Sequence, residues 1–298
     1  MNFRIVFNYL LYILIVAAVS SCGTSATDDD SLNVADPAHV QVEKNNKVQK
    51  IFSTIQSQSE TSGMLEAAGA RYDSKLLNAI ENVSKYSSIK AKALNLGVYG
   101  LDLGVTNIFN QTQESMLYLK CTNKLATSLG ISGAFDEKMS NRIDANSDSK
   151  DSLLAIITDS YRNSDNYLQE NGQAGVSTLM VAGGWIEGLY ISSQLGNTTK
   201  NQAIKDRVAK EKPTLDVLIS LLESYKKENE GTEELLASLI DLKKVFDSVS
   251  ITPAANAAPA DKTGGSSADL VGATVKITED QFKQILDKTA AIRNKIIQ

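Results

Sequence analysis

The sequence predicts an all-α protein, a multi-helix bundle, on three observations. Proline occurs only at positions 37, 213, 253 and 259, so none interrupts the stretch from Ala38 to Lys212. Ala, Leu, Ser, Lys, Asn and Glu are plentiful while aromatic residues are sparse, at 6% of the chain, which is a helical composition. Apolar residues recur at intervals of three and four, the period of a helix with one buried face.

The first element is a leader. Arg4 precedes an apolar run from Ile5 to Val19 that only Asn8 interrupts, and Ser20 and Ser21 lead into Cys22. Charge, apolar run and small residues in that order make a secretory signal. The run is shorter than the roughly 20 residues needed to cross a bilayer. "VSSC" resembles the lipobox of bacterial lipoproteins, with Val19 and Ser21 where Leu and Gly or Ala are usual. The resemblance implies that residues 1–21 are removed as a signal peptide. It also implies that Cys22 becomes the first residue, carrying diacylglycerol and an N-acyl chain such as palmitate. It further implies an outer-membrane location, because Gly23 is not the Asp that favours inner-membrane retention. Asp28, Asp29 and Asp30 look like an acidic export tether, so a periplasmic-facing and a surface-facing orientation both stay open.

Residues 22–40 then read as a lipidated flexible tether, and 41–250 as the helical domain. Within it Val48, Ile51, Phe52 and Ile55 begin a helical pattern. "SKLLNAIENVSKY" predicts an amphipathic helix on Leu76, Leu77, Ile80 and Val83. A further helix is predicted from about Ser88 through "KALNLGVYGLDLGV"; one expectation carries it on through "ESMLYLKCTNKLATSLG" to a stop at Gly130 and Gly133. Leu153, Leu154, Ile157, Tyr161 and Leu168 share the face of the next. Val176 to Leu195 carries one charge, Glu187; a helix apolar all round is either core or membrane span, and a central core helix is the preferred expectation. Pro213 suits a helix start, and "TEELLASLIDLKKVF" is another amphipathic helix. Residues 251–268 are an Ala/Pro/Gly/Ser linker by composition. Residues 269–298 form a C-terminal amphipathic helix opened by a Thr278–Gln281 capping box, and alone it would be marginal. It therefore needs a partner surface.

"LGVYGLDLGV" and "VAGGWIEGLYI" are alike: each is a Gly-rich apolar segment with an aromatic and one carboxylate, Asp102 or Glu187. A duplicated helical hairpin is one expectation from this likeness. Glycine removes the side chain and lets helix backbones approach closely, so the faces of Gly100 and Gly104 and of Gly184 and Gly188 are expected to meet. The overall architecture is similar to that of imelysin-like lipoproteins, which duplicate a helical bundle and carry a Gly-x-His-x-x-Glu motif. "GGWIEG" lacks the histidine, so that family's site is not transferred to these residues.

Composition excludes much chemistry. The chain is acidic, with a formal net charge of −5 and dispersed lysines, whereas nucleic-acid binding needs a basic face. His39 is the single histidine and sits in the tether, which removes the base from Ser-His-Asp and Cys-His arrangements and the ligands from His-rich zinc sites. Once Cys22 is acylated, Cys121 has no disulfide partner. No cofactor and no catalytic residue is expected. Candidate ligand-contact or buried polar residues are Asp102, Glu187, Trp185 and Tyr99. A carboxylate in an apolar helix must be paired, hydrogen-bonded or protonated. Two that met could hold a metal or a cation or act as acid and base, and the simpler expectation is ion pairing with an Arg or Lys. Asp144, Asn146 and Asp148 begin a calcium loop that then departs from the pattern at Ser149 and Ala155. The function expected is a non-enzymatic envelope protein, bound to the membrane through Cys22, that binds a protein partner or serves as scaffold. A small-ligand-binding protein with its pocket at the Gly-rich helices is the alternative.

Overall fold

The computed structural model describes residues 68–131, 137–146, 149–228, 231–254, 270 and 272–298, all within one packed unit that runs from Pro37 to Gln298. Cys22, His39, Asp148, the tether, the predicted helix at Val48–Ile55 and most of the 251–268 linker lie outside the described residues. Among the described residues the protein is an all-α bundle: α1 Ile89–Ile108, α2 Thr112–Ser128, α3 Glu137–Ala145, α4 Lys150–Glu170, α5 Ala174–Thr199, α6 Gln202–Ala209, α7 Lys212–Tyr225, α8 Glu233–Ser248 and α9 Glu279–Ile297.

Local chemistry sets the boundaries. Ser88 opens α1 by accepting a hydrogen bond from Ala91 N at 3.1 Å. The helix predicted to run on past residue 108 instead breaks, because Asn110 turns left-handed at φ +57°. Gln111 N then bonds Thr106 O at 2.8 Å and Asn110 N bonds Asn107 O at 3.0 Å, the paired bonds of a left-handed helix stop. Gly130 (φ +80°) ends α2 in the same way. Pro213 sits in the first turn of α7, where its missing N–H costs nothing. The capping box of α9 is present: Thr278 Oγ1 accepts from Gln281 N at 3.2 Å and Gln281 Oε1 accepts from Thr278 N at 2.9 Å.

Helix α5 is the axis. It packs against α1, α4, α6, α7 and α9, and its contact with α1 is the most extensive among the described elements. It is long and apolar enough to cross a membrane, yet 83% of its most apolar stretch is buried inside the bundle. Helix α9 finds its surface on α5 and α8, burying Phe282, Ile285, Leu286, Ile292 and Ile296. A short antiparallel ribbon that the sequence did not suggest, β1 Ser250–Thr252 and β2 Thr274–Lys276, brackets the linker, with Ile251 opposite Val275.

The Gly-rich segments occupy the middles of α1 and α5 and lie against each other. The seam is made by Gly97 and Gly183 more than by the expected pairs. A Cβ on Gly97 would fall 1.9 Å from Met180 O, and one on Gly183 would fall 1.9 Å from Leu94 O. Gly184 has more room, 3.4 Å to Gly97 O. Gly100 faces α4 instead: its missing Cβ is replaced by the ring of Tyr161, whose hydroxyl donates to Leu96 O at 2.7 Å. The elements before the two segments differ. Helix α4 precedes α5, whereas α1 follows two 3-10 turns, Ser74–Leu76 and Ile80–Ser84, where an amphipathic helix was expected.

Candidate functional site

Those two turns belong to the most polar part of the interior. Side chains from three helices take up the backbone groups of residues 76 to 80. Arg293 of α9 donates to Leu76 O at 3.0 Å, and Asp102 of α1 accepts from Asn78 N at 3.0 Å. Tyr118 of α2 donates to Asn78 O at 3.1 Å, and Tyr99 of α1 donates to Ala79 O at 2.8 Å. The Cys121 thiol points at Ile80 O, 3.8 Å away. A continuous helix would need these groups for its own ladder, so the tertiary partners explain why this segment is not one. The Asn78 amide adds bonds to Tyr86 Oη at 2.9 Å and to Asn95 Oδ1 at 3.2 Å. Asn95 Nδ2 in turn donates to Ile296 O at 2.8 Å, and Tyr86 Oη donates to Ile297 O at 3.2 Å, so both cap the last turn of α9.

The ionised centre of this network joins α1, α5 and α9. Asp102 and Glu187 are each fully buried. Arg293 meets Glu187 as a fork, with Nε to Oε2 at 2.9 Å and NH2 to Oε1 at 2.8 Å. Its guanidinium lies 4.7 Å from the centre of the Tyr190 ring. Asp102 has a different balance. Oδ2 holds the Asn78 N–H, while Oδ1 receives no hydrogen bond. Burial first, then the neighbouring charge of Glu187, push the Asp102 carboxyl well above the ordinary range, against weaker pulls from Asn78 N–H and Arg293. Burial also raises Glu187, but the hydrogen bonds and charge of Arg293 oppose it. The two carboxyls thus sit in unlike surroundings: Glu187 is forked by Arg293, and Asp102 has one backbone donor.

Of the four sequence candidates, the structure brings Asp102, Glu187 and Tyr99 into this network and leaves Trp185 outside it. Trp185 stands two residues from Glu187, on another side of α5, and its indole N–H donates to Glu211 Oε2 at 3.1 Å. Glu211 is also paired with Arg207 at 3.3 Å. In the calcium-loop candidate, Asn146 Nδ2 donates to Arg142 O at 2.8 Å, and Asp148 lies outside the described residues. Among the described residues no three His, Cys, Asp or Glu side chains gather as a metal site. A cavity of about 110 Å³ opens between α1, α8 and α9, lined by Lys90, Leu94, Leu235, Ile292 and Lys295 among others; neither Asp102 nor Glu187 reaches it.

Sequence reasoning missed Arg293, Asn78 and Asn95. Arg293 carried a signal, because it stands on the apolar stripe of α9 with Phe282, Leu286, Thr289 and Ile296, where a solvated charge does not belong. It also missed Asp165 of α4, a further buried carboxylate that accepts from Ser177 and Gln169. Asn78 and Asn95 carried none. No family model matches the chain, no curated protein matches it, and no solved structure matches it.

Proposed function

We propose that the protein is a lipid-anchored protein of the bacterial outer membrane whose helical body serves as a binding or scaffold module for a protein partner. The observation that carries the anchor is the order of charged residue, apolar run and "VSSC" ending at Cys22. Two or more acyl chains on that residue hold a soluble body stably, where one gives only marginal binding. The scaffold role is supported by how the interior is used. The two central helices meet backbone to backbone, and the buried carboxyls are engaged by Arg293 and by the Asn78 N–H. A small-ligand pocket at Asp102 and Glu187 lacks comparable support, since both are fully buried.

The test is metabolic labelling with a clickable fatty acid, combined with fractionation. The wild type takes the label and sediments with outer membranes through a high-pH wash. Cys22→Ala loses the label and leaves the membrane fraction. A variant that stays membrane-bound after the wash would reject the lipid anchor.

A further inference from the structure

The cavity between α1, α8 and α9 has two kinds of wall. Its interior is apolar: Leu94 of α1, Leu235 of α8 and Ile292 and Ile296 of α9 are all buried. Its remaining lining is charged or polar. Lys90 and Lys295 bring two positive charges against the one negative charge of Glu234. Glu234 is taken by Lys295 at 2.7 Å. The half-buried Lys90 instead donates to a neutral group, Gly231 O, and among the described residues it forms no ion pair. We propose that this cavity is a binding site for a small aliphatic monocarboxylate of the size of butyrate, its chain among Leu94, Leu235 and Ile292 and its carboxylate at Lys90.

Size sets the chain length. An apolar cavity of roughly 150 Å³ takes the six carbons of benzene, so about 110 Å³ takes about four. That is the chain of butyrate, with its carboxylate at the mouth. Charge sets the head group. One carboxylate brings the summed charge of the lining to zero, and a second would be in excess. The ties around the mouth select a free molecule over the end of a polypeptide. Lys90 joins α1 to the turn before α8, and Lys295 joins α9 to α8. A free acid needs no exit for a following chain, whereas a peptide leaving the cavity would have to pass these ties. The site rests on neither the Asp102–Glu187 network nor the anchor at Cys22.

Saturation-transfer NMR of the full chain in a neutral detergent, with micelles alone subtracted, tests the site. The probes are sodium acetate, propionate, butyrate, hexanoate and octanoate at one ionic strength. Butyrate is expected to bind with a Kd on the order of 1 mM. Its methyl end takes more saturation than the carbon beside the carboxylate. Affinity rises about fourfold per methylene from acetate to butyrate, as burial of a CH₂ predicts, and levels off by hexanoate. Lys90→Gln, which keeps a donor for Gly231 O and removes the charge, weakens butyrate about fivefold and leaves methyl butyrate unchanged. Ala91→Leu fills the cavity from α1 and abolishes butyrate binding, with circular dichroism checking that its helices are kept; if it does not fold, Lys90→Gln decides.

No butyrate binding up to about 20 mM overturns the site. So does an affinity that ignores chain length, which marks ion pairing at the surface only. An affinity that keeps climbing through octanoate marks an open apolar face and overturns it as well. Equal butyrate binding by Lys90→Gln and the wild type, or binding retained by a folded Ala91→Leu, does the same. Tighter binding of a blocked dipeptide ending in a free valine carboxylate would make the occupant a polypeptide terminus and reject the free acid.

Discussion

Arg293 grips both carboxylate oxygens of Glu187 across 106 residues of sequence, at 2.9 and 2.8 Å, with neither side chain more than 5% exposed. One guanidinium thus fastens the last helix of the chain to the central one. Arg293→Ala leaves Glu187 buried without its cation and is expected to cost about 3–5 kcal/mol, as breaking a buried pair does. Glu187→Gln added to it should recover part of that loss. Urea denaturation of the two single variants and the double gives the coupling directly. An additive double mutant would show that the pair is not the source of the loss.

Stability should fall as the pH rises. The folded-state pKa of Asp102 is raised. Its contribution is therefore complete below the unfolded value, about 3.9, and is lost as pH climbs through the folded value. The unfolding free energy of the wild type declines from about pH 4 upward, by at most about 1.4 kcal/mol per pH unit from this group. Asp102→Asn makes the decline shallower and is the more stable of the two at the alkaline end. Urea midpoints from pH 4 to 9 measure both slopes, and equal slopes would show that Asp102 is not the source of the decline.

The glycine seam predicts a ranking. Gly97→Ala and Gly183→Ala each drive a methyl to 1.9 Å from a carbonyl oxygen of the facing helix. The helices must separate, at a cost of typically about 1–3 kcal/mol or more. At Gly184 the added methyl has 3.4 Å, and the better helix propensity of alanine, up to about 1 kcal/mol, offsets the contact. Thermal melts should therefore place Gly184→Ala near the wild type and the other two clearly below it.

Thr278→Ala removes the cap of α9. The expected loss is about 1 kcal/mol, concentrated in the first turn. Exchange of the amides at Asp280 to Phe282 reports it, and an unchanged rate there would show that the ion pair between Lys205 and Glu279 holds that end instead.

What the sequence revealed depended on whether the cause was local. The α9 cap, the start of α7 at Pro213 and the burial of α5 follow from neighbouring residues, and all were legible. The segment from Ser74 to Ser84 was misread because Leu76, Leu77, Ile80 and Val83 do have helical spacing. Its backbone is claimed by Asp102, Tyr99, Tyr118 and Arg293, from distant elements. The same distinction runs through the site. Asp102 and Glu187 stood out as charges in apolar helices, while their convergence and the arrival of Arg293 are set by tertiary packing. The glycine faces were identified, but the register that pairs Gly97 with Met180 and turns Gly100 toward Tyr161 depends on the crossing of the helices.

The ribbon has a practical consequence. Pairing Thr252 with Thr274 brings the chain on either side of the linker to adjacent points, so everything between them is an excursion that leaves and returns at one place. The entropy of closing such an excursion grows only logarithmically, about 0.6 kcal/mol for each doubling of its length. A fluorescent reporter or an affinity handle whose own ends lie close together can be spliced between Thr252 and Thr274. The ribbon, rather than the length of the insert, fixes where the chain re-enters, so such an insertion gives a way to label the body while α9 keeps its native surroundings.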